Sequence, residues 1–334
     1  MSAPTIAADV AQGAAGHRRG EGCCALPGKA KSGSAPAAVK PESMNWIPGG
    51  GFLMGSNSFY REERPVRPES VDGFWIDTYP VTNAEFQKFV EATGYVTYSE
   101  RPPNPAMYPD ADPEMLVPGS LVFKKPDRPV NLRNNLAWWE YKPGADWRHP
   151  QGPESSIAGC ENHPVVHVAY EDALAYAAWA GKELPTEAEW EFAARGGLEG
   201  KAYPWGDASN PDGRFMANTW QGHFPYQNSA DDGYEGTSPV DAFPPNGFGL
   251  FDMVGNTWEW TSSPYGAAQE QQQSCCHPNA GDDKSVRRVV KGGSHLCAPN
   301  YCLRYRPSAR QGETVDSSTC HIGFRCVARQ RPGN

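Results

Sequence analysis

Hydrophobic and polar positions keep a single period only over short stretches of this chain. The apolar run within Met44–Gly55 is bracketed by Pro and Gly and predicts a short strand, and Val71–Asp77 alternates well enough to predict another. At Thr82 the period lengthens. Glu85, three residues on, completes a capping box, Phe86, Phe89 and Val90 share one helical face, and Gly94 supplies the stop. Tyr95 to His163 is Pro-rich, with aromatic clusters at Trp138-Trp139 and Trp147, and reads as a long insertion in loop conformation, of the kind that often carries function. His163–Ala169 reads as a buried strand. A helix follows from about Glu171 to Ala180, with acidic residues in its first turn, where the helix dipole favours them. Thr186 and Glu189 cap a further helix that Gly196 ends. Beyond Gly197 short aromatic strands separated by Gly, Asn and Asp turns run to the end. Two or three helices followed by many short strands predict an α+β fold in one domain, residues 44–330, and not a doubly wound sheet.

Composition adds to this pattern. Residues 1–43 are rich in Ala, Gly, Ser and Pro and nearly devoid of large apolar side chains, so they cannot offset the entropy of ordering and are expected to form a disordered leader. The 35 Gly and 32 Pro of the 334 residues favour short elements and much ordered loop. A formal net charge of −9 argues against nucleic-acid and anionic-membrane partners, while acidic loops suit cations. No run approaches the ~18 apolar residues of a membrane span, and Met1–Lys31 lacks the apolar core of a secretory signal. The nine cysteines are odd in number and unevenly placed in a long chain, which predicts a reducing cytoplasm with chemistry or metal binding at a few thiols. His163 and His167 would share a face of the predicted strand. A metal pair is conceivable there, ordinary buried histidines being the plainer reading.

The stretch Lys291–Arg306 concentrates the candidate chemistry. A Gly-Gly turn precedes Ser294, Cys297 and Cys302, and an aromatic and arginine run follows. The thiolate is the reactive and metal-binding form of cysteine. Two thiols with four residues between them can form a disulfide, share a soft metal or divide one covalent reaction, and the spacing leaves all three open.

Several stretches together resemble the formylglycine-generating enzymes, the sulfatase-modifying factors. They are Pro80–Phe86, Trp147–Pro150, Leu184–Trp190, Ala217–Gly222, Pro239–Leu250, Val254–Trp260, Lys291–Ser294 and Gly323–Cys326. The helix at Leu184–Trp190 and the turn at Val254–Trp260 also occur in a broader superfamily and speak mainly for its fold. The cysteine pair with its Gly-Gly-Ser prefix is the specific signal. The resemblance implies a variant of the C-type lectin fold with little regular secondary structure. It also implies conversion of a cysteine in a Cys-x-Pro-x-Arg motif of an unfolded sulfatase to Cα-formylglycine, with molecular oxygen as oxidant. Cys297 and Cys302 then become ligands of copper(I), a soft ion suited to thiolates, with Cys302 expected to be the deeper, and Ser294 lines the substrate cleft. Zinc would need four ligands.

Calcium is the second implied cofactor. The resemblance assigns one site to the side chains of Asn218 and Asp232 with the carbonyls of Thr219 and Tyr234. It assigns another to the side chains of Asp252 and Glu259 with the carbonyls of Gly255 and Thr257. Oxygen donors of this kind suit a hard cation, although spacing alone would read these acids as turn caps. Where some secretory relatives carry bridging cysteines, this chain has Ala177 opposite Cys326, and Ala194 and Pro307. A monomer is expected. Cys23-Cys24 reads as incidental exposed thiols and Cys275-Cys276-His277 as an exposed loop. The competing readings are a non-catalytic, calcium-stabilised lectin-like binding protein, a chaperone-like paralogue that keeps its thiols, and a sulfoxide synthase, which would carry an additional helical domain.

Overall fold

The structure is a computed structural model that describes residues 43–109, 112–113, 116–266 and 286–329. The leader, Cys23-Cys24 and Cys275-Cys276-His277 lie outside the described residues, apart from Ser43. Among the described residues, eleven short strands and three helices, joined by long ordered loops, make up one mixed α and β domain. The strands are β1 (Met44–Ile47), β2 (Gly50–Met54), β3 (Arg67–Val71), β4 (Phe74–Asp77), β5 (Gly119–Phe123), β6 (Trp139–Pro143), β7 (Trp258–Pro264), β8 (Arg287–Lys291), β9 (Arg310–Thr314), β10 (Ile322–Gly323) and β11 (Val327–Ala328). The helices are α1 (Asn83–Thr93), α2 (Tyr170–Trp179) and α3 (Glu187–Arg195).

Local chemistry accounts for the helix boundaries. Thr82 Oγ1 accepts from Glu85 N while the Glu85 carboxylate accepts from Thr82 N, and Gly94 closes the helix in the left-handed region at φ 68°. Thr186, Glu189 and Gly196 repeat the arrangement on α3. The strands follow the local pattern less closely. Met44–Gly55 is two strands, because Gly49 turns the chain at φ 73°. Val71–Asp77 is likewise divided between β3 and β4. The 95–163 insertion is not all loop, since β5 and β6 pair antiparallel within it from Gly119↔Pro143 to Phe123↔Trp139. No strand forms at His163–Ala169, because His167 adopts φ 59° and breaks the alternation. His163 Nδ1 therefore pairs with Thr237 Oγ1 at 3.0 Å, while His167 lies between Ser120 Oγ at 2.7 Å and the Pro150 carbonyl at 2.9 Å. Each ring is satisfied separately, and they do not form a metal pair. Strands are also absent between Gly197 and β7.

A four-stranded sheet in the order β10-β7-β8-β9 and a three-stranded sheet in the order β1-β4-β11 organise the core. The larger apolar cluster packs α1 and α2 against Trp258, Trp260, Val290, Phe324 and both Cys297 and Cys302. The second packs α3 under the smaller sheet through Trp190, Ala193, Ile47 and Ile76. Between the sheets, Arg325 and Glu259 form a fully buried pair, Nε–Oε2 2.7 Å and Nη2–Oε1 2.8 Å, and Trp190 Nε1 donates to Glu259 at 2.7 Å. Leaving one charge of such a pair buried and unpaired costs about 3–5 kcal/mol, whereas an exposed pair contributes at most about 1 kcal/mol. Arg325→Met is therefore expected to lower the unfolding free energy in urea by that larger amount. Lys125→Met, which breaks the exposed pair with Glu235, is expected to leave the urea midpoint nearly unchanged.

Candidate active site: a buried thiol pair

The thiols lie on a compact loop that leaves β8 through Gly292 and Gly293, at φ 94° and 72°. A Cβ on Gly293 would lie 2.9 Å from the backbone of Arg304 and Tyr305, and one on Gly292 3.2 Å from the Trp190 ring. The glycines thus let the loop pack on its own returning segment and on α3. The turn then closes through Cys297 N to Ser294 O at 2.9 Å and Cys302 N to Ala298 O at 2.8 Å. These bonds bring the two sulfurs to 3.2 Å, a contact and not a bond. Cys297 O accepts from Trp220 N at 3.0 Å, which ties the loop to the segment carrying Asn218.

Both thiols are buried. Contrary to the sequence reading, Cys297 is the more enclosed, at 2% exposure against 8% for Cys302. The bulky neighbours expected to cover Cys302 include Tyr301 and Leu303, which are themselves only half-buried. Burial pushes the Cys297 thiol up, and its hydrogen bond to Cys302 raises it further. That same bond, with the Arg304 guanidinium adding to it against the effect of burial, brings Cys302 down to about 7. The pair therefore shares a proton that resides on Cys297 and stabilises a thiolate on Cys302. Arg304 Nη1 is 4.0 Å from Cys302 Sγ.

Ser294 is fully buried beside the pair. Its N–H points to Cys297 Sγ at 3.5 Å and its hydroxyl lies 3.1 Å from His321 Nδ1. Burial, with the nearby His295 and His167, brings His321 down to about 3, so the ring is neutral. Trp139 meets His321 edge-on with centroids 5.0 Å apart. The sequence reading missed His321, Arg304 and the Tyr60–Glu63 segment that faces Arg304. Only the arginine run after Cys302 hinted at Arg304.

The first candidate calcium set comes together. Asp232 accepts from the N–H groups of Thr219 at 3.1 Å and Tyr234 at 3.2 Å. Asn218 is fully buried, donates through Nδ2 to Gly236 O at 2.8 Å, and leaves its Oδ1 without a partner. An orphaned buried oxygen next in sequence to Thr219, whose N–H holds Asp232, fits a hard cation, while the Thr219 carbonyl already accepts from Gln221 Nε2 at 2.9 Å. The second set fits less well. Both Glu259 oxygens are already engaged by Arg325 and Trp190. Asp252, raised to about 7 chiefly by burial, with Glu259 and Asp241 adding to it, accepts from Asn256 Nδ2 at 2.7 Å.

Two further described thiols are inert by environment. Cys326 is a packed core thiol, as expected, raised far up by burial, and Cys320 is raised to about 12. Among the described residues no group of three or more His, Cys, Asp or Glu is arranged to hold a metal ion, so a soft ion at the thiol pair would depend on two protein sulfurs.

Fold and site together define a loop-rich α+β domain built around a buried, reduced dithiol centre. A family model described as "Sulfatase-modifying factor enzyme 1-like domain" matches residues 29–330. The chain belongs to this family. It is 54% identical over 288 residues to the formylglycine-generating enzyme of Mycobacterium tuberculosis, covering 84% of this chain and 96% of that protein. It is 42% identical over 291 residues to the bovine (Bos taurus) protein named inactive C-alpha-formylglycine-generating enzyme 2, covering 86% of this chain and 88% of that one. Among solved structures, PvdO from Pseudomonas aeruginosa superposes with a TM-score of 0.57 at 25% identity, covering 86% of this chain and 94% of PvdO.

The shared proton leads to a direct test. In metal-free protein, thiolate absorbance near 240 nm is expected to rise with a midpoint at about 7. Cys297→Ala removes the main cause of the lowered value and is expected to move the midpoint up, as is Arg304→Met to a smaller degree.

Proposed function

We propose that this protein converts a cysteine in a Cys-x-Pro-x-Arg motif of an unfolded sulfatase to Cα-formylglycine, with copper(I) held by Cys297 and Cys302 and molecular oxygen as the oxidant. The observation that carries the reading is the pair of sulfurs 3.2 Å apart, both buried and both reduced, in a chain whose relatives include named formylglycine-generating enzymes. Two soft thiol donors in an apolar surrounding fit a soft monovalent ion. When bound, copper(I) would supply the activation of oxygen that the thiols alone lack.

The chain's own residues prepare that chemistry. Burial keeps water from the sulfurs, and the Cys297 proton and the Arg304 guanidinium hold negative charge on Cys302. Cys302, the less enclosed residue of the two, is the one that would face the substrate thiol. Ser294, whose hydroxyl is held by neutral His321, would orient the substrate thiolate or the oxygen. A C-type-lectin-like arrangement is the fold reading that suits these short strands and long loops. We assign calcium to Asn218 and Asp232 with the Thr219 and Tyr234 carbonyls, where it would fasten loops that lack backbone pairing. The set of Asp252, Glu259, Gly255 and Thr257 is the weaker candidate, because Arg325 already neutralises Glu259. Five described cysteines are all thiols, which supports a reducing compartment such as the cytoplasm, and we take the protein to act as a monomer.

The competing reading is a thiol-bearing binding or chaperone paralogue, and a relative named inactive makes it worth separating. Copper-loaded protein incubated with a Leu-Cys-Thr-Pro-Ser-Arg peptide in oxygenated buffer is expected to yield the aldehyde by mass spectrometry. Cys297→Ser and Cys302→Ser are each expected to abolish it. No aldehyde from the wild type, or full yield from either variant, contradicts the enzyme reading. Separately, a calcium chelator is expected to lower the thermal midpoint of the wild type and to have little further effect on Asp232→Ala.

A further inference from the structure

A segment far from the thiols in sequence closes directly onto them. Phe59 and Tyr60 lead into a single 3-10 turn, Arg61–Glu63. Tyr60 Oη accepts from the N–H of Leu303, the residue after Cys302, at 2.9 Å. The Arg304 guanidinium lies 4.0 Å from the centre of the Tyr60 ring and pairs with Glu62. The next residue, Glu63, takes Arg306 in a fully buried pair, with Nη1–Oε2 at 2.9 Å, and also accepts from Ser308 Oγ at 2.9 Å. Phe59 lies under Arg306 at 3.6 Å.

The segment is itself firmly mounted. Ser56 N donates to Glu63 O at 3.2 Å, and Gly55 N donates to Glu191 of α3 at 2.8 Å. Gly55 has φ 90°, and a Cβ there would lie 2.4 Å from Glu63 O. A rigid strap anchored on α3 thus holds residues 303–308.

We propose that Tyr60 is a positioning residue of the thiol centre, holding Cys302 against Cys297 through the Leu303 N–H and through the Arg304 side chain stacked on its ring. The two cysteines are covalently joined through only four intervening residues, so the peptide after Cys302 decides how far its sulfur can swing. Cys302 N is already bonded to Ala298 O at 2.8 Å. The Leu303 N–H is the next backbone donor, and Tyr60 claims it. Glu63 with Arg306 secures the strap to the fold, whereas Tyr60 sets the register of the sulfur. This inference rests on reading the thiol pair as the functional centre, but its test uses neither copper nor substrate.

The test is the equilibrium of metal-free, full-length protein with reduced and oxidised glutathione. The Cys297 and Cys302 thiols join in a disulfide, passing two electrons and two protons to glutathione disulfide, which becomes two glutathione molecules. The trapped fractions measure the effective concentration of one thiol at the other. Tyr60→Phe keeps the ring under Arg304 and removes only the acceptor, and Tyr60→Leu removes both. The equilibrium is expected to shift toward the dithiol by about threefold in the first and about tenfold in the second, as lost orientation lowers effective concentration. Tyr141→Phe serves as the control, since its hydroxyl donates to Val117 O at 2.6 Å on a different hairpin. It is expected to move the thermal midpoint alone. A Tyr60→Phe equilibrium equal to wild type, or a Tyr141→Phe shift as large as that of Tyr60→Phe, overturns the proposal. Absence of aldehyde formation by the wild type would leave this result standing.

Discussion

Arg325 is the constraint on which much of this structure depends. Its guanidinium is fully buried, bonds both oxygens of Glu259 on β7 and donates to the carbonyls of Asp77, Thr78, Phe251 and Asp252. One side chain thus joins the end of β4, the 251–252 loop and the central sheet. A chain with this much loop cannot satisfy its buried carbonyls through strand ladders alone, and a planar five-donor cation is well suited to do it for several at once. Arg306, paired with Glu63 and donating to the Leu303 carbonyl at 2.9 Å, repeats the solution, and Lys291 with Glu191 at 2.9 Å adds a further buried pair. The fold is held by buried charge-assisted bonds where other folds use sheet.

The candidate site inherits this rigidity. β8 ends at buried Lys291, the glycine turn packs on Trp190, and residues 303–308 are clasped by the Tyr60–Glu63 strap. Between these fixed ends the Ser294–Cys302 loop has little freedom, so two sulfurs can be kept in contact without being bonded. Asn256 links the same loop to the candidate calcium residues. Its carbonyl accepts from His295 N at 2.9 Å, and its Nδ2 reaches Asp252 at 2.7 Å. Its N–H donates to the Asn218 carbonyl at 2.9 Å. A cation that fastened the Asn218 loop would therefore stiffen the thiol loop as well.

Helices α1 and α3 were legible almost to the residue, because Thr82, Thr186, Gly94 and Gly196 are local signals whose chemistry depends on neighbours three or four positions away. The buried strand expected at His163–Ala169 failed for the opposite reason. His167 adopts φ 59° with its ring held between Ser120 and Pro150, partners that no local pattern reveals. The β5–β6 hairpin was hidden because its alternation is diluted by proline and aromatic residues. In the site, Cys297, Cys302 and Ser294 were legible from their motif. Tyr60 and His321 were not, since each acts across the fold on a residue whose own motif gives no hint of it. The relative depth of the two thiols was misread, because bulky neighbours in sequence do not cover a side chain they do not face.

We propose that a reduced, preassembled pair of sulfurs holds one copper(I) in this protein. X-ray absorption at the copper edge of stoichiometrically loaded protein, without substrate, tests it most directly. The account predicts a first shell made only of two sulfurs, and loss of one sulfur in Cys302→Ala. A shell of nitrogen or oxygen donors, or a two-sulfur shell that survives Cys302→Ala, would contradict it.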